Sequence, residues 1–331
     1  MTTDELLKAA QDALKRGHYM LRRSNAGRSN KQSFQWAPIG AWTEAPDWNP
    51  DAVCGGGLHG NHPEEGWACW TDAKDLDFCE VDWEAGVVPL GYKIKARRAR
   101  VLLRNDLSAL QGFSIKGDLN LAGCAALTAL PEDMTVGGDL FIGDCTALSA
   151  LPEGLAVGGE LYIKGCDNLA AFPENMTVGG NLFIVECGRL TSIPNGISFK
   201  SLYVERCDNI AALPEGMKVQ GNFILMDCPA LAALPEGMTV EGNLWIRKCT
   251  ALSALPEGMK VQGKLTLVDC PALAAIPENI TIGGDLCINN CPALAAIPEG
   301  ITVGGQLYAK AYATLPPMPA VLRAEAAYLS L

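Results

Sequence analysis

Two cysteines and two histidines in the N-terminal third have the side-chain chemistry of metal ligands: Cys54, His59, His62 and Cys69. Structural zinc sites use four such ligands, usually with short and characteristic spacings between them. The spacing C-x₄-H-x₂-H-x₆-C departs from those patterns. We therefore expect no metal or other cofactor, and we interpret these residues as buried cysteine and hydrogen-bonded histidine. A structural zinc site is the alternative.

A second set of cysteines recurs at a single repeat position. Most of the steps between neighbours are 21 residues, and the positions are 124, 145, 166, 187, 207, 228, 249, 270 and 291. Parallel strands lie about 4.8 Å apart, a distance that a disulfide could span, but stacked side chains point the same way rather than toward each other. We predict reduced thiols that cap loop carbonyl or amide groups in a ladder. The odd total of thirteen cysteines also favours reduced thiols.

Other patterns of catalytic chemistry are not apparent in the sequence. We find no nucleophile and base pair, phosphate-binding loop or acid cluster with useful spacing. We therefore predict that the protein is not an enzyme. The alternative is an enzyme with an uncharacterised site in the N-terminal domain.

The repeat that carries the cysteines has a 21-residue unit, for example LPEDMTVGGDLFIGDCTALSA from Leu130 to Ala150. Leu140 and Ile142 are two residues apart, which is the alternation of a short strand with one buried face. Successive copies then form a parallel sheet, since one repeat alone cannot bury its apolar residues. Lys200 replaces the usual glycine in a copy that is one residue short, where we expect a local irregularity.

This unit resembles the leucine-rich repeat family, whose core reads L-x-x-L-x-L-x-x-N/C-x-L. It is similar to the short bacterial form in its Leu-Pro punctuation and to the cysteine-containing form in the spacing of Cys145 and Leu148. The resemblance implies a right-handed curved solenoid with one parallel sheet on its concave face. Gly137 stands where the family has its first leucine, which leaves a parallel β-helix cross-section as an alternative.

The residue between the two buried strand positions is expected to face outward. Aromatic side chains recur there, and we predict a partner-binding surface made of Phe141, Tyr162, Phe183, Tyr203, Ile224, Trp245 and Tyr308. Exposed contiguous apolar residues often mark a contact surface, and solenoids usually bind on the concave face. The alternative is a ladder of aromatic residues that only stabilises the sheet.

Charge limits the class of partner. Residues 1–104 contain 14 basic and 14 acidic residues, so the net charge of −11 falls on the repeats. Such a surface repels duplex nucleic acid and anionic membranes, and a neutral or cationic protein partner fits better. The glutamates that follow the repeat prolines form a like-charged row, which we interpret as a solvated edge.

The chain is expected to have four parts: an N-terminal helix over 1–17, a tryptophan-rich α+β domain over 18–104, the solenoid over 105–315 and a C-terminal cap over 316–331. The cap is expected to contain a helix from Pro319 to Leu329. The basic run from Lys93 to Arg104 is expected to present one polar strand face to the acidic repeats, with nucleic-acid contact as the lesser alternative.

The segment Cys54-Gly-Gly-Gly-Leu-His59-Gly, with Glu80-Val-Asp and Lys93-Ile-Lys, is similar to a domain of unknown function found at the front of bacterial and phage proteins. No activity follows from that resemblance. The first twenty residues lack the apolar core of a signal peptide, so we expect a protein that is cytoplasmic, or delivered or assembled from the cytoplasm. We predict protein recognition or scaffolding, as in a phage structural protein or a bacterial effector.

Overall fold

The computed structural model describes residues 1–24, 34–51, 57–61, 74–91 and 93–310. The chain divides into two compact units. The first contains Met1–Leu169 and Asn175–Val178, and the second contains Ala170–Glu174 and Gly179–Leu331. Among the described residues, no helix is both long and apolar enough to cross a membrane.

The first unit begins with the predicted helix, α1 (Thr3–Arg16). Thr2 and Glu5 form a capping box at its start, which satisfies two backbone N–H groups that the helix leaves free. Gly17 ends the helix in the left-handed conformation at φ 66°. Its inner face buries Ala10 and Ala13.

An antiparallel sheet of seven strands follows the helix, which confirms the predicted small α+β region. Its strands are β1 (Tyr19–Ser24), β2 (Thr43–Glu44), β3 (Leu58–Asn61), β4 (Asp75–Val81), β5 (Val87–Leu90), β6 (Lys93–Ala96) and β7 (Arg98–Arg104), in the order β2-β7-β4-β1-β3-β6-β5. Met20, Trp36 and Ile94 are among the buried side chains of its core.

Four of the six basic residues between Lys93 and Arg104 bond within the N-terminal region rather than with the acidic repeats, which differs from the expectation for this run. Arg100 pairs with Glu80 at 2.7 Å, and Arg98 pairs with Asp82 at 3.3 Å. Lys95 is fully buried, and its Nζ donates to the Asp51 carbonyl at 2.7 Å. The two arginines are held there because antiparallel pairing of β4 with β7 brings the Glu80 and Asp82 carboxylates beside them.

A buried ionic cluster lies at the centre of this sheet. Asp77 is fully buried and accepts hydrogen bonds from Arg22 at 2.5 Å, Arg104 at 2.6 Å and Ser24 at 2.9 Å. The Arg22 guanidinium also stacks over the Trp36 ring at 4.0 Å. The charge of Asp77 is thus compensated on several sides, as a buried carboxylate requires.

The N-terminal domain packs against the first coils of the same unit. The Lys74 carbonyl accepts a hydrogen bond from the Ala126 N–H at 3.1 Å, and the Tyr19 and Phe113 rings are 6.1 Å apart. The Arg23 side chain donates to the Ala122 carbonyl. The domain therefore covers the open end of the first coils, which a solenoid needs because its terminal coil exposes apolar residues.

The repeats form a β-solenoid of stacked parallel coils, as predicted. The main strand series in the first unit is β9 (Leu119–Asn120), β11 (Leu140–Gly143) and β13 (Leu161–Lys164). In the second unit it is β15 (Leu182–Val185), β16 (Leu202–Glu205), β18 (Phe223–Met226), β20 (Leu244–Arg247), β22 (Leu265–Val268), β24 (Leu286–Asn289) and β26 (Leu307–Lys310). Leu140 and Ile142 are fully buried, as are Leu244 and Ile246, so the predicted inward positions are confirmed.

Each regular coil also contributes a second, two-residue strand, which the sequence analysis did not foresee. The first unit has β8 (Ser114–Ile115), β10 (Thr135–Val136), β12 (Ala156–Val157) and β14 (Thr177–Val178). The second unit has β17 (Lys218–Val219), β19 (Thr239–Val240), β21 (Lys260–Val261), β23 (Thr281–Ile282) and β25 (Thr302–Val303). The short coil that contains Lys200 supplies no such strand, which is the irregularity expected there. The coils therefore carry parallel pairing on two sides.

Left-handed residues shape the corners of the coils. The turn after most of the repeat prolines has one, such as Gly154 at φ 70° or Asp133 at φ 53°. A second precedes the repeat cysteine and is often not glycine, as with Asp227 at φ 53° and Lys248 at φ 54°. The predicted C-terminal helix from 319 to 329 lies outside the described residues.

Candidate binding surface

Of the four residues considered as alternative metal ligands, only His59 lies within the described part of the chain. His59 lies in β3, opposite Lys95 of β6, and it is partly buried. Cys54, His62 and Cys69 lie outside the described residues. Among the described residues, no group of three or more His, Cys, Asp or Glu side chains could hold a metal ion.

The repeat cysteines form the predicted ladder of buried thiols. All nine are fully buried, and none of the eleven described cysteines forms a disulfide. The Cys145 Sγ donates to the Leu121 carbonyl of the preceding coil at 3.2 Å, and the Cys228 Sγ lies 3.4 Å from the Met226 carbonyl. The ladder thus satisfies backbone carbonyls at the corner where each strand ends.

Burial also makes several of these thiols hard to ionise. Loss of solvation raises the pKa of Cys124, Cys207 and Cys249 to about 11 in each case. Since the thiolate is the nucleophile and the metal-binding form, such cysteines are poor candidates for catalysis or metal binding. Their contribution is to packing and to backbone hydrogen bonding.

The outward strand positions of the first unit carry two aromatic rings. Phe141 and Tyr162 are register partners on β11 and β13, and both are partly exposed. Their ring centroids are 6.2 Å apart with the planes tilted by 44°. This geometry is favourable for a pair of aromatic rings.

The second unit presents a longer outward row, which we name the outward strand face: Phe183, Tyr203, Ile224, Trp245, Thr266, Cys287 and Tyr308. Phe183 and Tyr203 are stacked, with centroids 4.4 Å apart. Ile224 is partly exposed and lies in register between Tyr203 and Trp245. Trp245 is the most open of these side chains, at 47% exposure.

A groove of about 380 Å³ lies at the C-terminal end of this face. In register across four strands stand Trp245, Thr266, Cys287 and Tyr308. Two large rings thus flank two small side chains, which leaves a gap between them. The sequence shows the small residues in the aromatic row, but we read that row as continuous and missed the groove.

Two lysines also line the groove, Lys264 and Lys310. Lys264 is positioned by several contacts: its Nζ lies 5.4 Å from the centre of the Tyr308 ring and 3.8 Å from an Asp285 carboxylate oxygen. A hydrogen bond with the Cys287 thiol raises the pKa of Lys264, which further favours its charged form. The groove thus combines apolar walls with a fixed cation.

The glutamates after the repeat prolines are exposed, as expected for a solvated edge: Glu132, Glu153, Glu174, Glu215, Glu236, Glu257, Glu278 and Glu299.

No protein-family model and no curated protein matches this chain.

Proposed function

We propose that this protein recognises a protein partner through the outward strand face of its second unit. One observation carries the proposal: Trp245 is 47% exposed, although it stands between the fully buried Leu244 and Ile246. A strand that buries both neighbours positions the indole rigidly toward solvent. Tyr203 on β16 presents its ring from the same side.

Physical chemistry favours recognition over a purely structural role for these rings. Tryptophan and tyrosine dominate interface energetics, because a rigid ring buries much apolar area at small conformational cost. Packing on the sheet stabilises an indole less when nearly half of its surface stays exposed to water. The stacked pair of Phe183 and Tyr203 does support the sheet, so the strongest support for binding comes from Trp245.

The repeat class and the biological setting of the protein are also part of this proposal. We propose that the coils belong to the leucine-rich repeat class, on the Leu-Pro punctuation and the spacing of Cys145 and Leu148. A scaffolding role, in a phage particle or as an effector, fits a chain in which a capped solenoid supplies a repeated surface.

The test is affinity capture from a lysate of the native host with the wild-type chain and a Tyr203→Ala/Trp245→Ala double variant. Circular dichroism and thermal unfolding verify that the variant is folded. A Glu236→Ala/Glu257→Ala variant on the solvated edge is the matched control. We expect the aromatic variant alone to lose partners, because truncating an interface hot spot costs about 2 kcal/mol or more, roughly thirtyfold in affinity. An unchanged set of partners would leave the row as a structural ladder.

A further inference from the structure

Trp245 and Tyr308 form the two walls of an open groove that also has a floor. Trp245 and Tyr308 are separated by two strands, so their backbones lie about 14 Å apart at the usual strand spacing. Between them, Thr266 and Cys287 form a low floor of small side chains. A volume of about 380 Å³ falls within the range of sites that bind small molecules or single anchor side chains.

The charge of the groove differs from that of the rest of the chain. Among the described residues, its lining includes two lysines, Lys264 and Lys310, and no carboxylate, whereas the whole chain carries −11. Asp285 lies near Lys264 but outside the lining. An ammonium beside apolar walls is less screened than one in open solvent, so it attracts an anion more strongly.

We propose that this groove binds a peptide segment in which a carboxylate lies next to an apolar side chain. The apolar side chain lies between Trp245 and Tyr308, and the carboxylate pairs with Lys264, with Lys310 at the rim. This assignment rests on the proposed function and names the chemistry of the partner at one place on the outward strand face.

Because the chain is acidic overall, the groove can attract a single negative charge but not an extended polyanion. Exposed charges interact weakly beyond a Debye length, about 8 Å at physiological salt, so the two lysines control what enters the groove. A polyanion such as nucleic acid would extend over the acidic remainder of the coils and be repelled. A single carboxylate on a largely neutral peptide avoids that repulsion.

Cys287 supplies a reporter for the test, because it lies in the groove floor and is the one described cysteine that is not buried. The full chain is treated with N-ethylmaleimide, and the rate of Cys287 alkylation is followed by peptide mass spectrometry. The probes are acetyl-Gly-Leu-Glu-Gly-amide, its Gln analogue in place of Glu, and its Ala analogue in place of Leu. Each protein variant is compared with itself without peptide.

We expect the Leu-Glu peptide to slow alkylation of Cys287, and the Gln and Ala analogues to need about tenfold higher concentration, the effect of losing roughly 1.4 kcal/mol. Lys264→Gln should remove the difference between the Glu and Gln peptides. Lys260→Gln, on the second strand of the same coil, should retain it.

Equal protection of Cys287 by the Glu and Gln peptides would overturn the proposed pairing of a carboxylate with Lys264. It would not affect the proposal that the outward strand face binds a protein partner. No protection by any peptide would overturn the groove as the site, even if the Tyr203/Trp245 variant still lost its partners. Two other occupants of the groove would also overturn the proposal. A second copy of the chain would protect Cys287 increasingly as the protein concentration rises, without any peptide. Residues 311–331 would be the occupant if a synthetic peptide of that sequence protected Cys287 and the Leu-Glu probe did not.

Discussion

The Ser201 hydroxyl occupies the space that a Cβ on Gly221 would need, one coil further along. Its Oγ also accepts a hydrogen bond from the backbone N–H of Asn222 at 3.1 Å. The same relationship recurs between Asp139 and Gly159, where Asp139 Oδ1 accepts from the Glu160 N–H at 2.7 Å. In most coils the glycine before the strand is therefore coupled to a short polar residue in the preceding coil. Gly284, which meets the backbone of Gly263 and Lys264, is an exception.

Gly221→Ala should destabilise the solenoid, because the new methyl group overlaps the Ser201 hydroxyl and neither backbone can move freely. Overpacking of this kind typically costs about 1–3 kcal/mol. Gly188→Ala is the control, since nothing lies within 4 Å of a Cβ added there. Urea unfolding of both variants measures the cost, and equal stability of the two would contradict the proposed coupling.

Removing the Ser201 hydroxyl should partly rescue Gly221→Ala. Without the hydroxyl, the nearest remaining neighbours of the new methyl are the Lys200 carbonyl oxygen at 3.1 Å and the Ser201 Cβ at 3.4 Å. A Ser201→Ala/Gly221→Ala variant should thus lose less free energy of unfolding than the two single variants combined. Strictly additive losses would show that the hydroxyl is not what excludes the side chain.

Leu244→Ala should open a cavity in the middle of the second unit. Leu244 is fully buried, and comparable truncations cost about 2–5 kcal/mol. Glu236→Ala, on the exposed edge, should change the free energy of unfolding by less than about 0.5 kcal/mol. Hydrogen exchange should show that the coils next to Leu244 loosen first, and uniform loosening would argue against contacts limited to neighbouring coils.

The ladder thiols should resist alkylation in the folded protein. Cys249 is fully buried with its pKa raised to about 11, so at pH 8 only about one thiol in a thousand is ionised. Cys287 should react with N-ethylmaleimide well before Cys249, and denaturant should remove the difference. Mass spectrometry assigns each modified site, and comparable folded-state rates would disprove the burial of the ladder.

Alkaline pH should weaken the fold through the same thiols. The pKa of Cys207 and Cys249 rises from 9.0 to about 11 in the folded chain, so above pH 9 the unfolded chain releases protons that the folded chain retains. The contribution of each of these thiols to stability should thus be constant below pH 9 and fall as pH rises toward 11, by up to about 1.4 kcal/mol per pH unit.

Urea unfolding at pH 8 and pH 10 under reducing conditions measures this loss. A Cys207→Ala/Cys249→Ala variant is less stable at both values but should show a smaller difference between them. An identical difference in the variant and the wild type would assign the alkaline loss to other groups, such as lysines.

Asp77→Ala should destabilise the N-terminal sheet strongly, because it leaves Arg22 and Arg104 without the carboxylate that compensates them. Breaking one side of a buried ion pair typically costs about 3–5 kcal/mol. The exposed pair of Arg206 and Glu186, 2.7 Å apart, is the control, and Glu186→Gln should cost less than about 1 kcal/mol. Thermal unfolding compares the two, and similar shifts would contradict the buried cluster.

The strand positions of the coils were predictable because they repeat. Leu140 and Ile142 alternate with Phe141, and copies one repeat apart must stack to bury them, so inward and outward residues follow from the pattern. The second strand series was missed because two-residue strands such as Thr135–Val136 are too short to show alternation. The ion pair of Arg100 with Glu80 was not predicted, because Glu80 lies on another strand and no sequence repeat indicates that the two strands pair.

The sequence by itself determined the solenoid, the thiol ladder and the exposed row that holds Trp245, since each depends on contacts between equivalent positions in neighbouring coils. Tertiary structure alone decided the buried Arg22–Asp77–Arg104 cluster and the groove between Trp245 and Tyr308. The physical reason is that these features depend on residues that do not repeat: the cluster on antiparallel pairing between distant strands, and the groove on small side chains at Thr266 and Cys287 with Lys264 held beside them.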